Sequence, residues 1–584
     1  MNSFFKMFFA SLLALLIFSL IAFFILLAWV AGIASKEAPR ITSKSVLVLD
    51  LSQNFKEQEV ASPLSTLSDN DEMDVPGLYD VIRLIHKAKG DQNIKGIYII
   101  ANNNSNGFAS SDEIRNALLD FKASKKFVIA HGDVIAQKAY HVADVADKLY
   151  LNPTGDLEWV GFSVEYVFLK GALDKLEIQP QIFYAGKFKS ATEPFRTDKM
   201  TPENKLQTTV WLNDLYNHFL LGASSARKID TSTLHQLANV GKIQTPQDAV
   251  ENKLVDGLKY DDQVKDEIKS KLGLGKYDRI NFVSINRYAK AGGFKKSGKD
   301  RIAIIYAEGD IVDGSNDQRG TIASENYMRL IRKARLDKSI KAIVFRVNSG
   351  GGSALASENI WRELSLAKQD KPVVVSFGDV AASGGYYISC AADSIFAEPN
   401  TITGSIGVFG IVPNMETFFK DKLGVTFDGV KTAPYADAGV LHPLSDNEKQ
   451  MLQRRIELIY TQFKKRVADG RKKDTAYIDS IAQGRVWSGN DAIRIGLLDR
   501  FGGIDDAVNC AARLAKVSDY RLRELPETQT ILDRIFKSNS SQDFLTNIKK
   551  EVGEENYTIF AQMRRIRSMT GSTQARLPFE FFIR

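Results

Sequence analysis

Cysteine is nearly absent. Cys390 and Cys510 are the two in 584 residues. Both sit in apolar surroundings without CxxC or metal-ligand spacing, which excludes a disulfide framework, argues against zinc and leaves them as core residues. Histidine is almost as thin, with His86, His131, His141, His218, His235 and His442. Excess charge is missing too. A net +7 is small for this length, and no basic cluster is interleaved with aromatics, so nucleic-acid binding is not expected. The average composition, 25% charged and 44% hydrophobic, is that of globular material, and the length accommodates roughly three to four units.

One stretch lacks charge altogether. From Met7 to Ser35 the chain is mostly Leu, Phe, Ile and Ala, longer than the roughly 20 residues a bilayer requires. Small residues at Ala31-Gly32-Ile33-Ala34 offer a competing reading as a cleaved signal peptide, whose apolar region is usually about 7 to 15 residues. Residues 1–40 are therefore read as an uncleaved anchor, contacting lipid through residues 7–35. Lys6 lies on one side, and Lys36, Arg40 and Lys44 on the other. By the positive-inside rule this favours a cytoplasmic body.

What is present, above all, is a repeat. Sliding the chain by 246 residues places VIRLIHKAKGDQNIKGIY (from Val81) on YMRLIRKARLDKSIKAIV (from Tyr327), nine identities in eighteen positions without a gap. Gly132-Asp133 then falls on Gly378-Asp379, Tyr140 on Tyr386, Pro153 on Pro399 and Gly161 on Gly407. Such self-similarity signals duplication. Apolar periodicity predicts strands at Ser45–Leu51, Ile94–Ile100, Arg301–Tyr306 and Ile340–Val347, with helices over Gly77–Lys89 and Met328–Ala334. Each half is expected to be one α/β domain, 45–290 and 300–520, joined by AKAGGFKKSGKD from Ala289. Residues 521–584 form an extension with no recognisable chemistry.

In KPVVVSFGDVAASGGYYISC, from Lys371, the run Val373-Val374-Val375 reads as a buried strand ending at Ser376–Gly378, with a helix starting after Ala381. Ser383 lies at that junction, before Gly384 and Gly385. A serine on a strand-to-helix turn can expose its hydroxyl and leave backbone N–H groups free to meet negative charge. The pattern A-x-S-x-G is a near miss to the nucleophile elbow, and alone it leaves a plain glycine turn open.

The two copies control for each other, because scaffold survives in both and chemistry need not. Ser383 falls on Gln137, Gly384-Gly385 on Lys138-Ala139, and Gly350-Gly351-Gly352 on Asn104-Ser105-Asn106. NSGGGS, from Asn348, follows a strand and precedes a helix, so its N–H groups can converge on one site. With the Gly384 N–H, a glycine there can make an oxyanion hole. A serine nucleophile needs a base. His131 and His141 fall on Phe377 and Tyr387, which suggests packing, and His442 in GVLHPLS is a weak candidate. A lysine can serve if burial or a cationic neighbour keeps it neutral. Lys189 of GKFKS falls on Tyr435, so the lysine is present in the half that lacks the serine. Such complementary loss suggests one composite site.

VNSGGGS, GDVAASGGYYIS, TGSIGVFG (Thr403–Gly410), GKFKSATEPF and GRVWSGNDAIRIGLLD (Gly484–Asp499) together resemble the long, duplicated form of the signal peptide peptidase A (protease IV) family. That resemblance implies a tandem ClpP/crotonase-like fold and a Ser-Lys peptidase on the bacterial inner membrane, facing the periplasm, at odds with the charge rule. It implies Ser383 as nucleophile, Lys189 as general base, Ser405 as the residue orienting the lysine, and the N–H groups of Gly351 and Gly384 as oxyanion hole. It further implies cleaved signal peptides and other apolar peptides as substrates, homo-oligomers (a tetramer), and no metal or cofactor. Where the family commonly has proline, this chain has Gly350. Two rival expectations are acyl-CoA chemistry on a crotonase-like scaffold, against which the anchor and Ser383 argue, and a catalytically silent membrane scaffold.

Overall fold

The computed structural model describes residues 2–34, 39–59, 74–316, 318, 320–527 and 573–577. Most of the 521–584 extension therefore lies outside the described residues. Asn2–Ala34 form one helix. Its Phe4–Ala22 stretch, of mean hydropathy 2.3, is long and apolar enough to cross a membrane, and none of it is buried by the described residues.

The first half contributes strands Ser45–Asp50 (β1), Ile94–Ile100 (β2), Phe127–Ile135 (β3), Lys148–Leu157 (β4), Gln179–Ala185 (β5), Gly257–Leu258 (β6) and Asn281–Ser284 (β7). All but β5 form a parallel sheet in the order β6-β4-β3-β2-β1-β7. The second half supplies Asp300–Glu308 (β8), Asp310–Val312 (β9), Thr321–Ala323 (β10), Ile340–Ser349 (β11), Gly351–Ser353 (β12), Val373–Ala382 (β13), Ser394–Ala397 (β14), Ile402–Gly404 (β15), Val408–Asn414 (β16), Val486–Ser488 (β17), Arg500–Phe501 (β18) and Tyr520–Leu525 (β19). Gln574–Arg576 (β20) is the last described strand.

The second sheet repeats the first. Its parallel path β19-β8-β11-β13-β14-β18 has the same order as β7-β1-β2-β3-β4-β6, with β15 and β17 continuing from β13. Parallel strands covered on both faces need near-continuous apolar runs, and Ala342–Val347 is buried without a break. Amphipathic helices Leu78–Gly90 and Ser324–Leu336 occupy equivalent places. In the first, Val81, Leu84, Ile85 and Ala88 face the core, with Asp80 in the first turn and Lys87 and Lys89 in the last, charges that oppose the helix dipole.

One strand differs from its sequence reading. β13 does not stop at Ser376–Gly378 but runs through Gly378 to Ala382. The continuation is paired on both sides, with Ser349 opposite Ala381 and Val380–Ala382 opposite Ile402–Gly404. Tertiary pairing thus outweighs the local glycine signal, and the strand delivers the chain directly to Ser383.

A third sheet, β10-β9-β12-β20-β16-β5, joins the halves. β5 of the first half pairs antiparallel with β16 of the second over seven residues, from Ala185 opposite Val408 to Gln179 opposite Asn414. A buried charge cluster also joins the halves. Arg346 on β11 is fully buried and reaches into the first half, donating from Nε to Glu57 Oε2 at 2.8 Å and from Nη2 to Glu113 Oε1 at 2.6 Å. Its Nη1 donates to Ser376 Oγ and the Phe377 carbonyl. A continuous apolar core containing Leu47, Ile97 and Tyr140 from one half and Ile304, Val344 and Val508 from the other surrounds this contact.

Candidate active site

Ser383 joins β13 to the helix Gly384–Ser389. Its backbone adopts φ 54°, ψ −113°, a conformation costing a non-glycine residue about 1–3 kcal/mol and held only where surroundings over-determine it. Here the Ser383 N–H donates to the Gly404 carbonyl at 2.8 Å, and its carbonyl accepts from Tyr387 N–H at 2.8 Å. The side chain is completely buried.

Lys189 arrives from the other half. β5 ends at Ala185, and Gly186, at φ 103°, turns the chain inward. The Phe188 N–H donates to the Gln483 carbonyl at 2.8 Å, fixing the loop to the second half. Gly484, at φ 73°, backs the lysine, and a Cβ there would lie 2.7 Å from Lys189 Cβ. Glycine suits both counts, since the left-handed conformation strains a side chain and the close approach leaves it no room. Lys189 Nζ lies 2.9 Å from Ser383 Oγ, 3.0 Å from Ser405 Oγ and 3.3 Å from the Ser405 carbonyl. The residue is 1% exposed. Burial, which disfavours the charged ammonium, holds its pKa well below 10.5. A neutral amine at that distance can accept the serine proton.

This lowered value has a measurable consequence. Between the folded-state pKa and 10.5 the unfolded chain binds the lysine proton and the folded chain does not, so stability rises with pH across that window. Lys189→Met removes the group from the balance. Chemical denaturation of the detergent-solubilised chain from pH 7 to pH 10 is expected to show a stability rise in the wild type that is absent in the variant, by at most about 1.4 kcal/mol per pH unit for one proton. Equal slopes would place a charged lysine in the folded protein.

Gly351 and Gly384 meet beside Ser383. Gly351 has φ 99°, and a Cβ added to it would lie 2.7 Å from the Gly384 nitrogen, so the two glycines approach each other closely. The Gly351 N–H donates to Ser349 Oγ at 3.1 Å. Ser405, also at positive φ (50°), is fixed by its N–H to the Arg485 carbonyl at 2.6 Å. The structure thus brings Ser383, Lys189, Ser405, Gly351 and Gly384 together. His442 stands apart, half-buried, with its ring nitrogens against the Asp437 and Pro443 carbonyls.

Gln207 was not foreseen. Fully buried on the helix Pro202–Arg227, it donates from Nε2 to the Phe188 carbonyl at 3.2 Å and Ser190 Oγ at 2.9 Å, and accepts from Val486 N–H at 3.0 Å. It therefore clamps the lysine loop to the second half, and nothing in the local sequence distinguishes it from a surface glutamine. In the first half, the place of Ser383 is filled by Gln137. Its Nε2 donates to the Gly161 carbonyl at 2.9 Å, and its Oε1 accepts from the N–H groups of Val160 and Gly161. Trp159, in the place of Ser405, is buried with its indole N–H on the Leu234 carbonyl.

The family model for Peptidase family S49 matches the chain over residues 120–275 and 365–518, one segment in each half. The chain belongs to peptidase family S49. Protease 4 of Salmonella typhi is 38% identical over 483 residues, covering 80% of this chain and 77% of that protein. The chloroplastic serine protease SPPA of Arabidopsis thaliana is 32% identical over 502 residues, covering 84% of this chain and 72% of that protein. Among solved structures, a ClpP1 mutant from Listeria monocytogenes is similar over 35% of this chain and 94% of its own, at 15% identity and a TM-score of 0.24. The S49 chain is a peptidase built as a tandem duplication of an α/β domain, preceded by one apolar helix.

Proposed function

We propose that this S49 chain is a membrane-anchored serine endopeptidase with a composite Ser-Lys dyad. The observation that carries the reading is the buried Lys189 Nζ, 2.9 Å from Ser383 Oγ and 3.0 Å from Ser405 Oγ. Lys189 Nζ takes the proton of Ser383, whose Oγ bonds to the peptide carbonyl carbon. The Gly384 N–H, joined by that of Gly351 once it is released from Ser349 Oγ, stabilises the resulting oxyanion, each donor in such a hole being worth about 3–4 kcal/mol. Lys189 returns the proton to the leaving amine, and water, activated by the same lysine, hydrolyses the ester. Ser405 positions the amine. The first repeat (45–290) supplies the base, the second (300–520) the nucleophile and glycines, and residues 1–40 the tether. Every step is carried by groups of this chain.

A site that depends on a dry lysine suits apolar peptides, and a membrane tether suits peptides left in the bilayer, so remnant signal peptides are the proposed substrates. Relatives of bacterial origin fit a single-pass protein of the inner membrane with its body in the periplasm. Phe427, Val430 and Tyr435 are exposed on the segment 416–441, which supports contact with further copies of the chain.

A serine-directed fluorophosphonate tests the reading. The folded wild type is expected to take one label, mapped to Ser383, at a rate that rises as Lys189 loses its proton, while Ser383→Ala takes none. A folded wild type that stays unlabelled, or carries the label on another serine, overturns the dyad and favours the silent scaffold.

A further inference from the structure

A cavity of about 190 Å³, lined by none of the residues of the Ser383–Lys189 site, lies where the two halves meet. The first half contributes His86 from the helix Leu78–Gly90, and Glu113 and Asn116 from the helix Phe108–Lys122. The second half contributes Glu398, just past β14, and Asp505 and Asp506 from the first turn of the helix Ile504–Leu514. Four of these six side chains are carboxylates, and no lysine or arginine lines the cavity.

Three of the carboxylates are held by the protein. Glu113 accepts from Arg346 on Oε1 and from the Ile504 N–H on Oε2 at 2.8 Å. Asp505 Oδ1 accepts from the Tyr79 hydroxyl at 2.9 Å, and Asp506 Oδ2 from the Gly503 N–H at 3.1 Å. Glu398 is different. It is 4% exposed, its Oε1 is sealed from solvent without a hydrogen-bond partner, and no cationic side chain among the described residues pairs with it. Buried charges are ordinarily paired or bound to a metal, and here the protein supplies no pair.

The oxygens left over, on Glu398, Asp505 and Asp506, are hard donors. Ca²⁺ takes six to eight such ligands in a flexible geometry, with carbonyls and water among them. A single imidazole and no thiolate make a poor set for the softer transition metals. One water needs roughly 10–15 Å³ of such space, so the cavity holds an ion together with part of its hydration shell. The start of the helix Ile504–Leu514 does not repel a cation, because Glu113 and Asp506 already accept from its first N–H groups. Asn116 and Asp506 are exposed while Glu398 is buried, which gives the ion an entry from solvent and an end point against Glu398.

We propose that this cavity binds a Ca²⁺ ion through Glu398, Asp505 and Asp506, with the Asn116 amide oxygen and water completing its shell. The ion ties the half that carries Lys189 to the half that carries Ser383. The site goes beyond the proposed peptidase chemistry and does not depend on it.

The test compares the full, untagged, detergent-solubilised chain, stripped with EGTA, with the same chain carrying Glu398→Gln. Calorimetric titration with Ca²⁺ is expected to show one ion bound by the wild type, at least about 10-fold more tightly than by the variant. Chemical denaturation gives a pattern that a merely structural glutamate would not. Without Ca²⁺, Glu398→Gln is expected to be at least as stable as the wild type, because it strands no charge. With Ca²⁺ the wild type is expected to gain stability by linkage and the variant not. Equal responses of the two chains, or the same gain from KCl at matched ionic strength, overturn the proposal. Tb³⁺ supplies a second reading on the wild type alone, whether or not Glu398→Gln folds well. Tyr79, whose hydroxyl meets Asp505, is placed to sensitise its luminescence, and tyrosine-excited emission that Ca²⁺ displaces is expected. No emission, or emission that Ca²⁺ leaves unchanged, overturns the proposal. Neither measurement needs hydrolysis or a serine label, so the cation site and the dyad stand or fall separately.

Discussion

Ser383→Ala and Lys189→Ala are each expected to lower kcat/KM on an apolar peptide by about 10⁴–10⁶-fold, and the double variant by no more than the worse of the two. The lysine is useful only if a hydroxyl lies within its reach, and the hydroxyl only if its proton has somewhere to go, so the second deletion removes nothing further. Lys189→Arg is not expected to rescue, because a guanidinium cannot act as a base at accessible pH. Near-additive losses, or substantial activity in Lys189→Ala, would assign the proton to another group. Because Lys189 and Ser383 are contributed by different halves, circular dichroism and oligomeric state must match the wild type for the comparison to count.

Arg346→Ala is expected to destabilise the chain by about 3–5 kcal/mol, the cost of stranding buried carboxylates without their partner. Glu113 is already pushed up to about 6, by burial above all, against the pull of Arg346 and with a push from Glu57. Without the guanidinium its folded-state pKa rises further above its unfolded value. The folded state then holds a proton that the unfolded state has released, so stability falls as pH rises from about 4.5 through the new folded value. The deficit of the variant should accordingly be larger at pH 8 than at pH 5 in chemical denaturation. The triple replacement Arg346→Met, Glu57→Leu, Glu113→Leu is expected to recover most of the loss, since apolar residues of similar volume can replace a buried ionic cluster. A pH-independent deficit would assign the loss to packing alone.

The repeat, the β2 and β11 strands and the Ser383 turn were legible because each is local. Ile94–Ile100 is an apolar run of strand length, and the duplication needs only the chain itself as reference. Lys189 became legible through its partner position, Tyr435, which is 44% exposed and has no place in the site. What escaped was long-range. β5 carries Gln179-Pro180-Gln181, with proline, an exposed Gln179 and a half-buried Gln181, and declares itself a strand only by pairing with β16 more than two hundred positions away. Gln574–Arg576 has no apolar run at all and gains its conformation from β12 and β16. β13 was cut short at Gly378 for the converse reason, a turn signal overruled by two neighbouring strands.

Gln137 ties its amide to Val160 and Gly161 in the first half where Ser383 stands in the second, and this asymmetry bears on ancestry. An ancestor with two alike halves could lose either copy and survive on the other. On the proposed dyad, a half without its serine and a half without its lysine have no such insurance, because each depends on the other's remaining group. To reverse the step, Gln137 would have to become serine and Tyr435 lysine, with the glycine turns restored, before any benefit appeared. The fused pair is therefore expected to persist in this lineage as an inseparable unit, inherited whole.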